Sequence, residues 1–126
     1  MDGDNLKSYK ELIVWQKAYK LTIDIYKITE KFPQREQFGL SSQMRRCVVS
    51  IVSNIAEGCQ RQFTREYVQF LSIAFGSCSE LETQLMIARD LKFLTEEEFK
   101  QPASLLDEIG KMLNVLMQRL KLTTSH

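Results

Sequence analysis

The sequence predicts an all-α fold, an antiparallel up-and-down four-helix bundle formed by a single domain. Glycine and proline are rare, 5 and 2 in 126 residues, which favours long helices over many short strands. Apolar residues recur at steps of three and four through four segments. The breaks between these segments are short, as they are between neighbouring antiparallel helices. We expect residues 1–8 and 123–126 to be disordered tails of this one 1–126 domain.

The first two helices have clear end signals. The first is predicted from Tyr9 to the residue before Pro33, because a residue that precedes proline disfavours the helical conformation. The second is predicted to begin within 37–40 and to end at Glu57. Gly58 would follow it as a left-handed C-terminal residue, since glycine adopts a positive φ without steric cost.

The third helix is predicted to begin with Thr64 as its N-cap. Seven positions then follow each other at alternating steps of four and three residues. This spacing is the heptad pattern of bundle packing. These positions are Tyr67, Leu71, Ala74, Cys78, Leu81, Leu85 and Ala88. A glycine inside a helix costs about 1 kcal/mol relative to alanine. We therefore expect another backbone to approach closely at Gly76.

The fourth helix is predicted to start with a capping box formed by Thr95 and Glu98. Pro102 should cause a kink, or a short helix followed by a fresh start, because it removes a backbone hydrogen bond. The first and last helices carry more apolar residues than one buried face can hold. This surplus predicts a second buried surface between identical subunits.

Charge and cysteine content narrow the class of protein. The formal net charge is +1, from 17 basic and 16 acidic residues. A chain that binds nucleic acid mainly through its total charge would be more basic. Three cysteines without a CxxC pair predict neither disulfides nor a zinc site. The polar first ten residues and the absence of a long apolar run predict no signal peptide and no membrane span, hence a cytoplasmic protein.

Catalytic constellations are missing from the sequence. The single histidine, His126, lies at the end of the chain. This position argues against a Ser–His or Cys–His nucleophile pair and against the di-iron site of many four-helix bundles. No glycine-rich phosphate loop occurs either. We therefore predict a protein without catalytic residues, cofactor, metal or small-molecule substrate.

Four arginines are the candidate binding residues: Arg45, Arg46, Arg61 and Arg65. Arginine binds phosphate through a planar fork of donors, so these residues could form a surface for RNA or DNA. Alternatively they pair with acids such as Glu57 and serve packing. Both readings stay open.

A structural polar cluster is predicted from Gln43, Asn54, Glu57 and Gly58. Its members either satisfy backbone groups where the chain turns or line a ligand pocket. Among the cysteines, Cys47 and Cys78 lie on apolar stripes and are predicted core residues, whereas Cys59 is a candidate reactive thiol. Core packing is also predicted for three aromatic residues at helical spacing, Trp15, Tyr19 and Tyr26.

Short motifs along nearly the whole chain carry a family resemblance. They are Leu12–Ala18 (LIVWQKA), Phe32–Pro33, Glu36–Leu40 (EQFGL), Gln43–Arg46 (QMRR), Ser50–Gly58 (SIVSNIAEG), Phe70–Ser77 (FLSIAFGS) and Glu80–Leu85 (ELETQL). Together they closely resemble the 23S rRNA-intervening-sequence protein family, also called the four-helix-bundle protein family.

This resemblance implies a left-handed up-and-down bundle assembled as a homopentameric ring in the bacterial cytoplasm, without established catalytic residues. A related branch, the accessory variability proteins of diversity-generating retroelements, is similar to a basic pentamer that binds nucleic acid and a reverse transcriptase. The family positions Gln43, Arg45, Arg46, Asn54, Glu57, Gly58 and Arg61 are all filled here. Two functions remain open: a ring that binds RNA or DNA, and a structural or adaptor ring that scaffolds a protein partner.

Overall fold

Four helices form the fold, and no strand occurs among residues 8–124, which are the residues that the computed structural model describes. The helices are α1 (Ile13–Thr29), α2 (Leu40–Cys59), α3 (Thr64–Asp90) and α4 (Glu96–Thr124). Within the described range each helix contacts its neighbours in the chain, α4 contacts α1, and no helix reaches across the diagonal. The helices therefore stand at the corners of a square, and the predicted all-α four-helix bundle is confirmed.

The core lies along the axis of this square. On α3 the predicted heptad positions are buried, except that Tyr67 is only partly so. Leu21 and Ile25 of α1, Ile51 of α2 and Ile109 of α4 are fully buried against them. Burial of an aliphatic side chain of this size stabilises the fold by about 1.5–3 kcal/mol, so this core holds the four helices together.

The start and end of α1 differ from the prediction. One 3₁₀ turn, Tyr9–Glu11, precedes α1, and Ser8 caps that turn by accepting a hydrogen bond from the Lys10 backbone N–H. The helix ends at Thr29, because the next residues form tighter i→i−3 backbone bonds, such as Phe32 N–H to Thr29 C=O at 3.1 Å. Of the predicted tails, residues 1–7 and 125–126 lie outside the described residues, whereas Ser8 caps the 3₁₀ turn and residues 123–124 belong to α4.

Two of the predicted helix signals in the second half are corrected and one is confirmed. Helix α3 begins at Thr64 itself, with Phe63 as its N-cap and no side-chain cap, so the predicted Thr64 cap is wrong. The capping box is confirmed: Glu98 N–H donates to Thr95 Oγ1 at 3.0 Å, and Thr95 N–H to Glu98 Oε1 at 2.9 Å. Helix α4 continues unbroken through the buried Pro102, so of the two expected outcomes, a kink or a fresh start, the fresh start does not occur.

Candidate functional site

Five polar residues form one stripe along α2. They are Gln43, Ser50, Asn54, Glu57 and Arg61, and we call this stripe the polar seam. The spacings of the first four place them on a single face of α2, and Arg61 follows two residues after the helix ends at Cys59. Ser50 and Arg61 contact α3, and Asn54 bonds to Ser50, so the seam lies along the edge between α2 and α3. It therefore unites most of the predicted polar cluster with one predicted arginine.

Hydrogen bonds link the middle of the polar seam to α3. Asn54 Nδ2 donates to the Ser50 carbonyl at 2.7 Å and to Ser50 Oγ at 3.1 Å. Ser50 Oγ and Ser77 Oγ lie 2.9 Å apart, and Cys47 Sγ donates to the Ser77 carbonyl at 3.0 Å. Ser50 and Ser77 were not among the predicted site residues. Because buried polar groups strongly prefer to stay bonded, this network holds α2 and α3 in register.

Gly58 has a different role from the one predicted. Helix α2 continues past it to Cys59, and among the described residues no glycine has a positive φ. A Cβ at Gly58 would lie 2.9 Å from Phe70 Cβ, 3.0 Å from Tyr67 Cδ1 and 3.2 Å from the Tyr67 carbonyl oxygen. The left-handed assignment is therefore wrong, and glycine is needed because α3 approaches α2 closely here.

Gly76 does not meet another backbone among residues 8–124. A Cβ there would have nothing within 4 Å. The small residue that contacts α2 is its neighbour, Ser77. The expectation of close packing at Gly76 is thus wrong for the single chain.

Arg45 connects α2 to the end of α1. Its Nε donates to Thr29 Oγ1 at 2.8 Å, and its Nη2 lies 3.4 Å from the Tyr26 carbonyl oxygen. Its guanidinium carbon also lies 4.9 Å from the centre of the Tyr26 ring, a distance at which a cation is attracted to the ring face. The buried Thr29 hydroxyl in turn donates to the Ile25 carbonyl at 2.7 Å. Arg45 thus acts as a packing residue between two helices.

The other three arginines differ in how they are held. Arg61 pairs with Glu57 at 2.6 Å and lies 4.7 Å above the centre of the Phe70 ring. Arg46 and Arg65 are exposed, and within residues 8–124 neither forms an ion pair. About 20 Å of helix, at the usual rise per residue, separates Arg46 from the end of α2. The four arginines therefore do not form one continuous surface in a single chain.

Burial sets the chemistry of the thiols and of the neighbouring phenol. It raises the pKa of Cys47 to about 11 and that of Cys78 to about 12. Both thiols are protonated at neutral pH, and both are buried as predicted. Burial, together with the Cys59 thiol, also raises the pKa of Tyr67 above its ordinary value. Cys59 itself is partly exposed.

Residues 8–124 contain neither a metal-binding cluster nor a membrane-spanning helix. Among residues 8–124, no group of three or more histidine, cysteine, aspartate or glutamate side chains is placed to hold a metal ion. No helix in that range combines the length and hydropathy that a bilayer crossing requires. The polar seam offers hydroxyl, amide, carboxylate and guanidinium groups, which hydrogen-bond and form ion pairs.

Fold and seam together define a class, a small four-helix bundle in which polar residues of α2 fix the packing of its neighbours. The family model described as 23S rRNA-intervening sequence protein matches residues 10–115, and the chain belongs to this family. No curated protein matches it.

A solved structure from the S23 ribosomal protein family of Bacteroides thetaiotaomicron, described as a protein with unknown function, is similar in fold. It is 24% identical, with a TM-score of 0.79, and the match covers 84% of this chain and 96% of that one.

Proposed function

We propose that this protein is a non-enzymatic scaffold of the bacterial cytoplasm that assembles with copies of itself into a homopentameric ring. The observation that carries the proposal is the amount of apolar surface on the outside of the bundle. Large apolar side chains are exposed on every helix: Ile13, Tyr19, Ile23, Tyr26, Val49, Ile73, Phe75, Met86, Ile87, Val115 and Leu122. Exposed apolar side chains that share one helix face, such as Tyr19, Ile23 and Tyr26 on α1, mark an interaction surface.

The arginine contacts support a scaffold over a catalytic or ligand-binding protein. Arg45 and Arg61 both bind partners within the chain, so these two predicted binding residues stabilise the subunit. The aromatic face of α1, with Tyr19, Ile23 and Tyr26 at steps of four and three, is exposed beside them. It is the surface on which we place a protein partner of the ring, because aromatic side chains contribute much of the binding energy at interfaces.

Thermal unfolding tests self-assembly in solution. Subunits that associate only when folded stabilise each other by mass action, so the Tm should rise with protein concentration. We expect the Tm to increase by several degrees between 1 and 100 μM chain. A hundredfold excess of subunit over the dissociation constant stabilises the folded state by roughly 2.7 kcal/mol. A Tm that is the same at both concentrations, with the mass of a single chain at both, would argue against assembly.

A second candidate function, binding of RNA or DNA, is favoured by one groove at the end of the bundle. Arg65 and Lys121 line a groove of about 620 Å³ beside the exposed Phe63. Two cations and an aromatic ring are the groups with which proteins hold a nucleic-acid backbone and stack a base.

Salt-dependent binding tests this second function. We expect the wild type to bind an RNA hairpin at 50 mM salt, with an affinity that falls linearly with salt on a log–log plot. An Arg65→Ala/Lys121→Ala variant should weaken binding and reduce that slope by roughly one for each lost phosphate contact. Arg46→Ala is the matched control and should leave both unchanged. No binding by the wild type at 50 mM salt, or equal slopes for all three proteins, rejects the groove as the site.

A further inference from the structure

Helix α3 carries an apolar stripe that stays exposed among the described residues, 8–124. Ile73, Ile87 and Leu91 are 53%, 43% and 56% exposed. Glu80 lies midway between the two isoleucines, at a spacing of seven residues from each, so these three share one helix face, and Leu91, the C-cap residue, follows Ile87 by four. We call this face the α3 stripe. It is an unusual composition for a solvated helix face, which is normally dominated by polar residues.

The α3 stripe runs along the edge of the bundle between α2 and α3. Ile73 and Glu80 flank Ser77 by about one turn on each side, and Ser77 contacts Ser50 of α2. Glu80 is also near enough to Cys47 of α2 for its charge to raise the pKa of that thiol, after the larger effect of burial. The carboxylate of Glu80 forms no ion pair with any residue in 8–124.

The opposite edge of the square carries an apolar groove. Its floor and walls come from the start of α1 and the second half of α4, and its volume is about 340 Å³. Ile13 and Val115, which line it, are 54% and 46% exposed. Lys111 and Arg119 stand at its rim. Lys111 pairs with Asp107 at 3.1 Å, whereas the guanidinium of Arg119 has no ion-pair partner in 8–124. We call this surface the α1–α4 groove.

The two surfaces are complementary in shape and in charge. The α3 stripe is a convex helix face with an unpaired acid among aliphatic side chains, and the α1–α4 groove is concave and aliphatic with an unpaired base. Because only neighbouring helices touch, the α2–α3 edge and the α1–α4 edge lie on opposite sides of the bundle. Two different complementary patches on opposite sides produce head-to-tail contacts, which close into a ring when the rotation between copies permits.

We propose that the α3 stripe of one copy docks in the α1–α4 groove of the next, with Glu80 of one subunit facing Arg119 of the other. This contact rests on the self-assembly proposed above and specifies which surfaces form it. It leaves the aromatic face of α1 free for another partner. Each subunit uses one stripe and one groove, so every interface in the ring is the same.

Three single substitutions of exposed aliphatic residues by arginine test the contact. Ile87→Arg blocks the stripe and Val115→Arg blocks the groove, and each variant alone should be monomeric. Ile23→Arg is the matched control, since Ile23 is 41% exposed on the aromatic face of α1, and it should assemble like the wild type. Circular dichroism and a cooperative melt would establish that each variant is folded.

Mixing the two blocked variants gives the decisive result. The Ile87→Arg chain retains an intact groove and the Val115→Arg chain an intact stripe, so an equimolar mixture should form a 1:1 heterodimer, measured by light scattering. The contact is disproved if either blocked variant keeps the wild-type mass, if the mixture stays monomeric, or if the control alone loses assembly. A monomeric wild type would instead overturn the self-assembly on which this contact rests.

A charge swap gives an independent measure that leaves the apolar residues in place. Glu80→Arg and Arg119→Glu should each weaken assembly roughly tenfold, because like charges would then face each other. The double variant restores opposite charges and should recover most of that loss. If the double variant is as weak as the two singles combined, then Glu80 and Arg119 do not meet across the interface.

Discussion

Replacement of Gly58 by alanine is expected to destabilise the protein by about 1–2 kcal/mol, although alanine is the better helix former by about 1 kcal/mol. The added Cβ would lie 2.9 Å from Phe70 Cβ and 3.2 Å from the Tyr67 carbonyl oxygen. Neither atom can rotate away, because one is bonded directly to the backbone and the other belongs to it. Helices α2 and α3 would therefore have to move apart at this end, with strain in a close-packed region.

Gly110→Ala is the matched control for this substitution. Gly110 also lies inside a helix, α4, but a Cβ there would meet only Phe75 Cε1, at 4.0 Å. Without a steric cost the helix preference of alanine should dominate, and the variant should gain about 0.5–1 kcal/mol. Urea unfolding of both variants at one protein concentration measures the two changes. Equal stabilisation by both would show that α3 does not approach α2 closely at Gly58.

Loss of the Arg45 side chain should have the larger effect on stability, about 2–3 kcal/mol for Arg45→Ala. A hydrogen bond to a charged group contributes about 1.5–3 kcal/mol, and a cation over an aromatic ring a further 0.5–1 kcal/mol, in typical cases. The Thr29 hydroxyl would lose its donor while it remains buried. Arg45→Lys should recover only part of the loss, because lysine lacks the planar fork that reaches Thr29 and covers the Tyr26 ring together.

Arg46→Ala provides the control at the next position on the same helix. Arg46 is exposed and unpaired within residues 8–124, so its loss should change the free energy of unfolding by no more than about 0.5 kcal/mol. Denaturant unfolding of the three variants separates the two arginines. If Arg45→Ala and Arg46→Ala were equally mild, the contacts of Arg45 with α1 would not stabilise the fold.

The helices and the core could be predicted because local patterns determine them. Prediction of the heptad on α3 requires only the spacing of Leu71, Ala74, Cys78 and Leu81. An apolar helix face at that spacing must be buried against another element. The capping box at Thr95 and Glu98 is equally local, since both hydrogen bonds form within three residues. Features of this kind do not depend on which helices become neighbours.

The candidate site was harder to predict because its contacts are long-range. Ser50 meets Ser77 across twenty-seven positions and Arg45 meets Thr29 across sixteen, so both depend on the register between helices. Gly58 was assigned to a helix end because its neighbours form a common ending, whereas a steric demand of α3 explains it. The spacing of Gln43, Ser50, Asn54, Glu57 and Arg61 was the available signal for a shared face.

The aromatic residues of α1 illustrate the same limit. Trp15, Tyr19 and Tyr26 were predicted to pack in the core, but Tyr19 and Tyr26 are exposed. Trp15 is partly buried and packs against the core, and Tyr19 stacks on it, with ring centres 5.2 Å apart. A helix with apolar residues on more than one face leaves open which face turns inward. Here the small Ala18 and the aliphatic Leu21 and Ile25 occupy the inward face.

Native mass spectrometry of the unmodified chain tests self-assembly, the central claim, most directly. Spectra recorded from a volatile buffer near neutral pH, at several protein concentrations in the micromolar range, would report the mass of every species present. The apolar outer faces and the opposed stripe and groove predict self-assembly, and the family resemblance sets the expected species as one with the mass of a homopentamer. A spectrum with only the mass of a single chain across the micromolar range would contradict the claim.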